Sequence, residues 1–128
     1  MAVREPYTDE VRARFANPVH AGDLEGEYPE VLTAATGEAE RGVWIIFSAG
    51  VDDGTIEEFR FRAWGCPHLI AAAELTCAEH EQGPVAALGD ISANGLMARL
   101  SVPRDKTGKF LLLEDAIQAL LGQHGGKA

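Results

Sequence analysis

The chain has 128 residues, 46% of them apolar and 24% charged, with a formal net charge of −9 at pH 7. That length suits one domain, able to bury roughly two-thirds of its chain surface, and the apolar share is too high for disorder. The acidic balance argues against a duplex-binding surface, which needs clustered Lys and Arg, and no apolar run reaches membrane-spanning length. Met1 to Pro6 carries no apolar h-region, so the expectation is a soluble, cytoplasmic protein with no nucleic-acid or membrane partner.

Tyr7 to Phe15 reads as a short amphipathic helix that stops at Asn17-Pro18, because the residue before proline disfavours helical geometry. His20 to Pro29 is a Gly-containing acidic loop. Val31 to Thr36 is expected as a first strand with a turn at Gly37, and Val43 to Phe47 as a buried strand. Asp52-Asp53-Gly54 forms a hairpin turn into a third strand, Thr55 to Trp64. Helices follow at about Pro67–Glu81, Ser92–Leu100 with Ser92 as N-cap, and Leu112–Leu121, with a turn near Pro84–Leu88 and a loop from Val102 to Gly108. The last residues, 124–128, read as a disordered tail. Strands first and helices afterwards predict an α+β fold: a small antiparallel three-stranded sheet covered on one side by helices, in a single domain whose core runs from about 7 to 123.

Chemistry concentrates where the third strand meets the first long helix. Phe59, Phe61 and Ala63 alternate with Arg60 and Arg62, then Gly65 breaks the strand, and Pro67 fits a first helical turn. Cys66 therefore sits at the positive end of a helix, where a thiol tends to be more ionised and thus a better nucleophile or metal ligand. Packing, metal ligation and a reactive or sulfur-carrying thiol all remain open for it. Cys77 lies eleven residues on, roughly 16 Å along one helix and beyond disulfide reach, and reads as core. His68 fits a solvated or structural histidine as well as a ligand, Trp64 fits sheet packing, and Asp52-Asp53 with Glu57-Glu58 fit a solvated face.

Three segments together resemble the IscU/NifU-type iron–sulfur cluster scaffold family: Phe15-Ala16-Asn17-Pro18 with Gly22, Trp64-Gly65-Cys66 with Ile70-Ala71, and Glu114-Asp115-Ala116-Ile117. The likeness covers roughly Tyr7 to Gln123. It implies an IscU/NifU-like fold and a site built from three cysteines and an aspartate. Only Cys66 keeps its cysteine; Thr36 and Lys109 stand at the other two cysteine positions and Glu38 at the aspartate. The implied metal donors are Cys66, Glu38 and His68, with His20 at a stretch. A cluster wants about four soft ligands, so the donor set is short. Lys109 would repel a cation and suits a salt bridge to Glu38. The family's chaperone-recognition segment lines up with Val102 to Lys106, keeping Pro103 and Lys106, with Arg104 between them.

The implied cargo is iron or a [2Fe–2S] cluster, with zinc or no metal as alternatives. The implied partners are a cysteine desulfurase and a chaperone, and a homodimer could place one Cys66 from each chain on a shared cluster. The expected function is a scaffold-like protein of iron–sulfur cluster assembly, not an enzyme. The alternative is an interaction module that kept the fold and lost the site. A thiol enzyme using His68 or His20 as base ranks last, because no third orienting group is evident.

Overall fold

A computed structural model describes residues 7–124; Met1–Pro6 and Gly125–Ala128 lie outside the described residues, and His124, the first residue of the expected tail, is placed as the C-cap of the last helix. Three antiparallel strands, β1 (Glu30–Glu38), β2 (Val43–Asp52) and β3 (Thr55–Trp64), pair in the order β1-β2-β3. The β2–β3 turn holds Asp53 at φ 53° and Gly54 at φ 79°, the left-handed pair whose twist matches a two-residue hairpin. Period-2 alternation turns Leu32, Ala34, Ile45, Phe47, Ala49, Phe59 and Phe61 to one face, where all are buried. The expected turn at Gly37 does not form. Gly37 continues β1 opposite Trp44, and a Cβ there would lie 2.7 Å from the Val43 carbonyl oxygen. The chain turns later, through a 3-10 turn at Ala39–Arg41 and Gly42 at φ 66°.

Among the described residues four α-helices complete the fold: α1 (Asp9–Ala16), α2 (Pro67–His80), α3 (Ala93–Leu100) and α4 (Thr107–Gln123). The α1 N-cap is Thr8, whose hydroxyl accepts from the Val11 amide, and the α3 N-cap is Ser92, which accepts from Gly95 at 3.0 Å. Helices α2 and α4 cover the apolar sheet face, and α2 is buried almost all round, from His68 to Cys77 except Ile70. Helix α4 starts five residues before the expected Leu112. A 3-10 turn at Arg104–Lys106 leads straight into it, the Thr107 hydroxyl donates to the Arg104 carbonyl at 2.6 Å, and burial of Phe110 holds the first turn down. These contacts outweigh the weak helix propensity of Thr107 and Gly108.

The acidic loop 20–29 is a strap. Gly22 N–H donates to Phe61 O and Phe61 N–H donates to His20 O along the free edge of β3. The strap then crosses the outer sheet face, where the Tyr28 ring lies over Gly50, and a Cβ on Gly50 would come within 2.1 Å of it. Beneath the strap Glu58 is 6% exposed, which corrects the solvated-face expectation. The physical reason is a bulge at Gly50/Val51, which leaves Glu57 unpaired and sets Glu58 opposite Gly50. The Glu58 carboxylate accepts from the amides of Glu25 and Gly26, the Tyr28 hydroxyl at 2.6 Å and Arg60 Nε at 2.7 Å. Burial alone would raise its pKa, but these donors outweigh burial and hold it down at about 2, while Glu58 pushes Tyr28 up to about 12.

A group depressed in the folded state stabilises above its unfolded pKa and loses that contribution as pH falls. Stability should therefore drop between about pH 4.5 and 2, by on the order of 1–2 kcal/mol after solvent screening, and Glu58→Gln should flatten that slope in urea unfolding. Gly50→Ala should displace Tyr28 and cost about 1–3 kcal/mol at neutral pH in the same measurement.

Candidate metal and partner site

Strand β3 ends at Trp64, Gly65 makes the elbow, and Cys66 is the N-cap of α2. Any side chain at 65 would crowd Leu69, so the tight entry suits glycine. Cys66 has extended backbone geometry and makes no side-chain capping bond among the described residues. Its thiol is half-buried and in no disulfide among the described residues, whereas Cys77 is fully buried, with burial pushing its thiol well up.

His68, two residues on, is 2% exposed, and its ring lies 4.7 Å from that of Tyr7. Its Nδ1 has no hydrogen-bond partner among the described residues. Burial lowers its pKa, and Lys106 and Lys109 lower it further against an opposing Asp105. His68 is thus a desolvated ring, and the solvated alternative for it is overturned.

The other family positions serve structure. Thr36 donates its hydroxyl to the Leu112 carbonyl at 2.6 Å, clasping the end of β1 to α4. Glu38 is half-exposed and pairs with Arg41 at 3.4 Å. Among the described residues no ion pair joins Lys109 to Glu38, which corrects that expectation, because Lys109 lies in the first turn of α4 and Glu38 has a nearer cation. His20 is committed elsewhere: its Nδ1 lies 2.6 Å from Glu74 and its Nε2 3.1 Å from Glu81. Among the described residues, no group of three or more His, Cys, Asp or Glu side chains is placed to hold a metal ion. The residues present therefore do not fit a complete metal or cluster site within one chain.

Two further features lie at the surface. Pro103 and Arg104 are exposed and Lys106 is half-buried, at an outward 3-10 turn leading into α4. Trp44 and Trp64 are direct cross-strand partners, 40% and 71% exposed, and with Ala35, Thr36 and Gly37 they line an open apolar depression. The packing expected for Trp64 is overturned. The alternation already carried the signal, since Trp64 continues the outward row of Arg60 and Arg62.

The profile of the NifU-like N terminal domain family matches residues 6–128. The chain belongs to that family. It is 28% identical over 122 residues to the iron–sulfur cluster assembly scaffold protein IscU of Haemophilus influenzae, covering 94% of this chain and 97% of the relative. The IscU scaffold protein of Azotobacter vinelandii is 27% identical, with 94% and 95% covered. Among solved structures, the N-terminal part of a NifU-like protein of Brucella abortus matches with a TM-score of 0.62 at 14% identity, covering 92% of this chain and 96% of that one. The α+β fold with its three-stranded antiparallel sheet is that of this NifU-like family. No helix of the described residues is long and apolar enough to cross a membrane.

Thr36→Val keeps the shape and deletes the clasp, so it should cost about 0.5–1.5 kcal/mol in chemical denaturation. Thr36→Ser, which keeps the hydroxyl, should recover most of that loss.

Proposed function

We propose that this NifU-like chain is an iron–sulfur cluster assembly scaffold that holds its cargo through the single thiol of Cys66 and takes its remaining ligands from outside the chain. The observation that carries this reading is that the family match spans nearly the whole sequence while, among the described residues, Cys66 makes no side-chain capping bond at the sheet-to-helix elbow. His68 is the next donor to consider, because its buried Nδ1 lacks a partner among the described residues. Glu38 is a weaker one, being exposed and already paired with Arg41. The missing ligands would come from a second chain's Cys66 or from an assembly partner.

Charge narrows the cargo. Lys106 and Lys109 oppose a bare iron or zinc ion near His68. A [2Fe–2S] cluster on one Cys66 from each of two chains is close to neutral, and further thiolates make it negative, so the same lysines oppose it far less than a bare cation. A cysteine desulfurase would meet the exposed elbow at Cys66. A chaperone would meet the outward turn at Pro103, Arg104 and Lys106. The second reading, an interaction module without cargo, is favoured by the absence of a three-donor group among the described residues.

Anaerobic reconstitution with iron and sulfide separates the two. Wild type should hold iron and acid-labile sulfide in equal amounts, at no more than one cluster per two chains, and Cys66→Ala should lose both. Zinc offered alone should bind weakly. Equal iron and sulfide in wild type and Cys66→Ala would sink the Cys66 reading, and none in either protein would favour the interaction module.

A further inference from the structure

Strand β1 is an edge strand, and its free edge is held by the last turn of α4. The Thr33 N–H donates to Gln123 Oε1 at 3.0 Å, and Gln123 Nε2 donates to the Thr33 carbonyl at 2.6 Å. One side-chain amide thus takes the two positions that a neighbouring strand would fill. Further along the strand, His124 Nδ1 lies 3.0 Å from Glu30. Because N–H and C=O of one residue point the same way in an antiparallel ladder, Val31, Ala35 and Gly37 face this edge with Thr33. Of these four, only Thr33 has a side-chain partner for its backbone among the described residues.

The edge carries no deterrent of its own. Val31 to Gly37 is seven residues without a charge or a proline, and β1 has no bulge against β2. The opposite edge is treated differently: His20–Gly22 and Gln82–Pro84 bond to β3 backbone and leave less to pair.

We infer that the β1 edge is a strand-pairing surface for β1 of a second copy of this chain, and that Gln123 holds it shut in the monomer. The strip is self-complementary under a two-fold axis. Antiparallel pairing centred on Thr33 sets Thr33 against Thr33 and Val31 against Ala35, and no two charges stand directly opposite. The outward side chains are small or β-branched, which suits sheet continuation. Release of the last α4 turn and pairing of two chains are then mutually dependent. This inference is independent of what Cys66 carries.

Gln123 is exposed, so its removal leaves the core intact. Gln123→Ala should speed hydrogen exchange of the Thr33 amide about tenfold in dilute solution, the loss expected for one hydrogen bond of about 1.4 kcal/mol. At high concentration the variant should sediment as a dimer where wild type does not. The net charge of −9 opposes association, so added salt should strengthen the dimer. Thr33→Lys in that background sets two ammonium groups across the two-fold and should restore the monomer. A Gln123→Ala chain that stays monomeric at every concentration would overturn the inference. So would a dimer indifferent to Thr33→Lys, which would point to another surface such as the exposed Trp44 and Trp64.

Discussion

The site depends first on the burial of α2. From His68 to Cys77 nearly every side chain is enclosed by β3, α1, α3 or α4, so the helix has no freedom to slide. Its start is fixed as firmly, because β3 delivers the chain through Gly65 directly against Leu69. Pro67 needs no hydrogen-bond partner for its nitrogen, and the Cys66 carbonyl accepts from Leu69 and Ile70. Backbone alone therefore builds the elbow, and the thiol is left free for chemistry. The same enclosure explains His68, which is buried because it rides on a helix surrounded by other elements and covered by Tyr7.

Around that elbow, positions that the family resemblance marks as ligands have acquired mechanical roles. A threonine hydroxyl can donate where a thiol donates weakly, and Thr36 spends its proton on the α4 backbone. Together with Gln123 at Thr33 and His124 at Glu30, it lines α4 up along β1 at three levels. The sheet and α4 are thus joined by polar contacts at the rim as well as by Leu113, Ile117 and Leu120 in the core. A site tied together in this way gains rigidity and loses donors.

Local signals made much of the fold legible. Asp53-Gly54, Ser92, Pro67 and the alternation through Phe59 and Phe61 each act within a few residues of where they stand, so composition and period found them. Cys66 was legible for the same reason. What the sequence hid depends on contacts made at long range. Glu58 looks solvated until a bulge and a strap from thirty residues away enclose it. His20 looks available until α2 brings Glu74 and Glu81 to its two ring nitrogens. Gly37 looks like a turn because glycine permits turns, yet here its missing Cβ permits close approach of two strands.

Lys106 and Lys109 go against the grain of their surroundings. Both lie at the start of α4, whose first turn holds no acidic residue, although the positive helix end disfavours cations. Both charges also act to lower the pKa of the buried His68 ring. A chain of net charge −9 has carboxylates enough to place one there, and among the described residues only Asp105 offsets the lysines' effect on that ring. Local rules are broken most often at functional sites. On the proposed reading, Lys106 and Lys109 would oppose a bare cation near His68 more than a cluster whose sulfide and thiolate offset its iron charge. A cysteine at position 109 would add a donor and remove a positive charge, so on that reading the lysine alters the site's charge as well as its donor count.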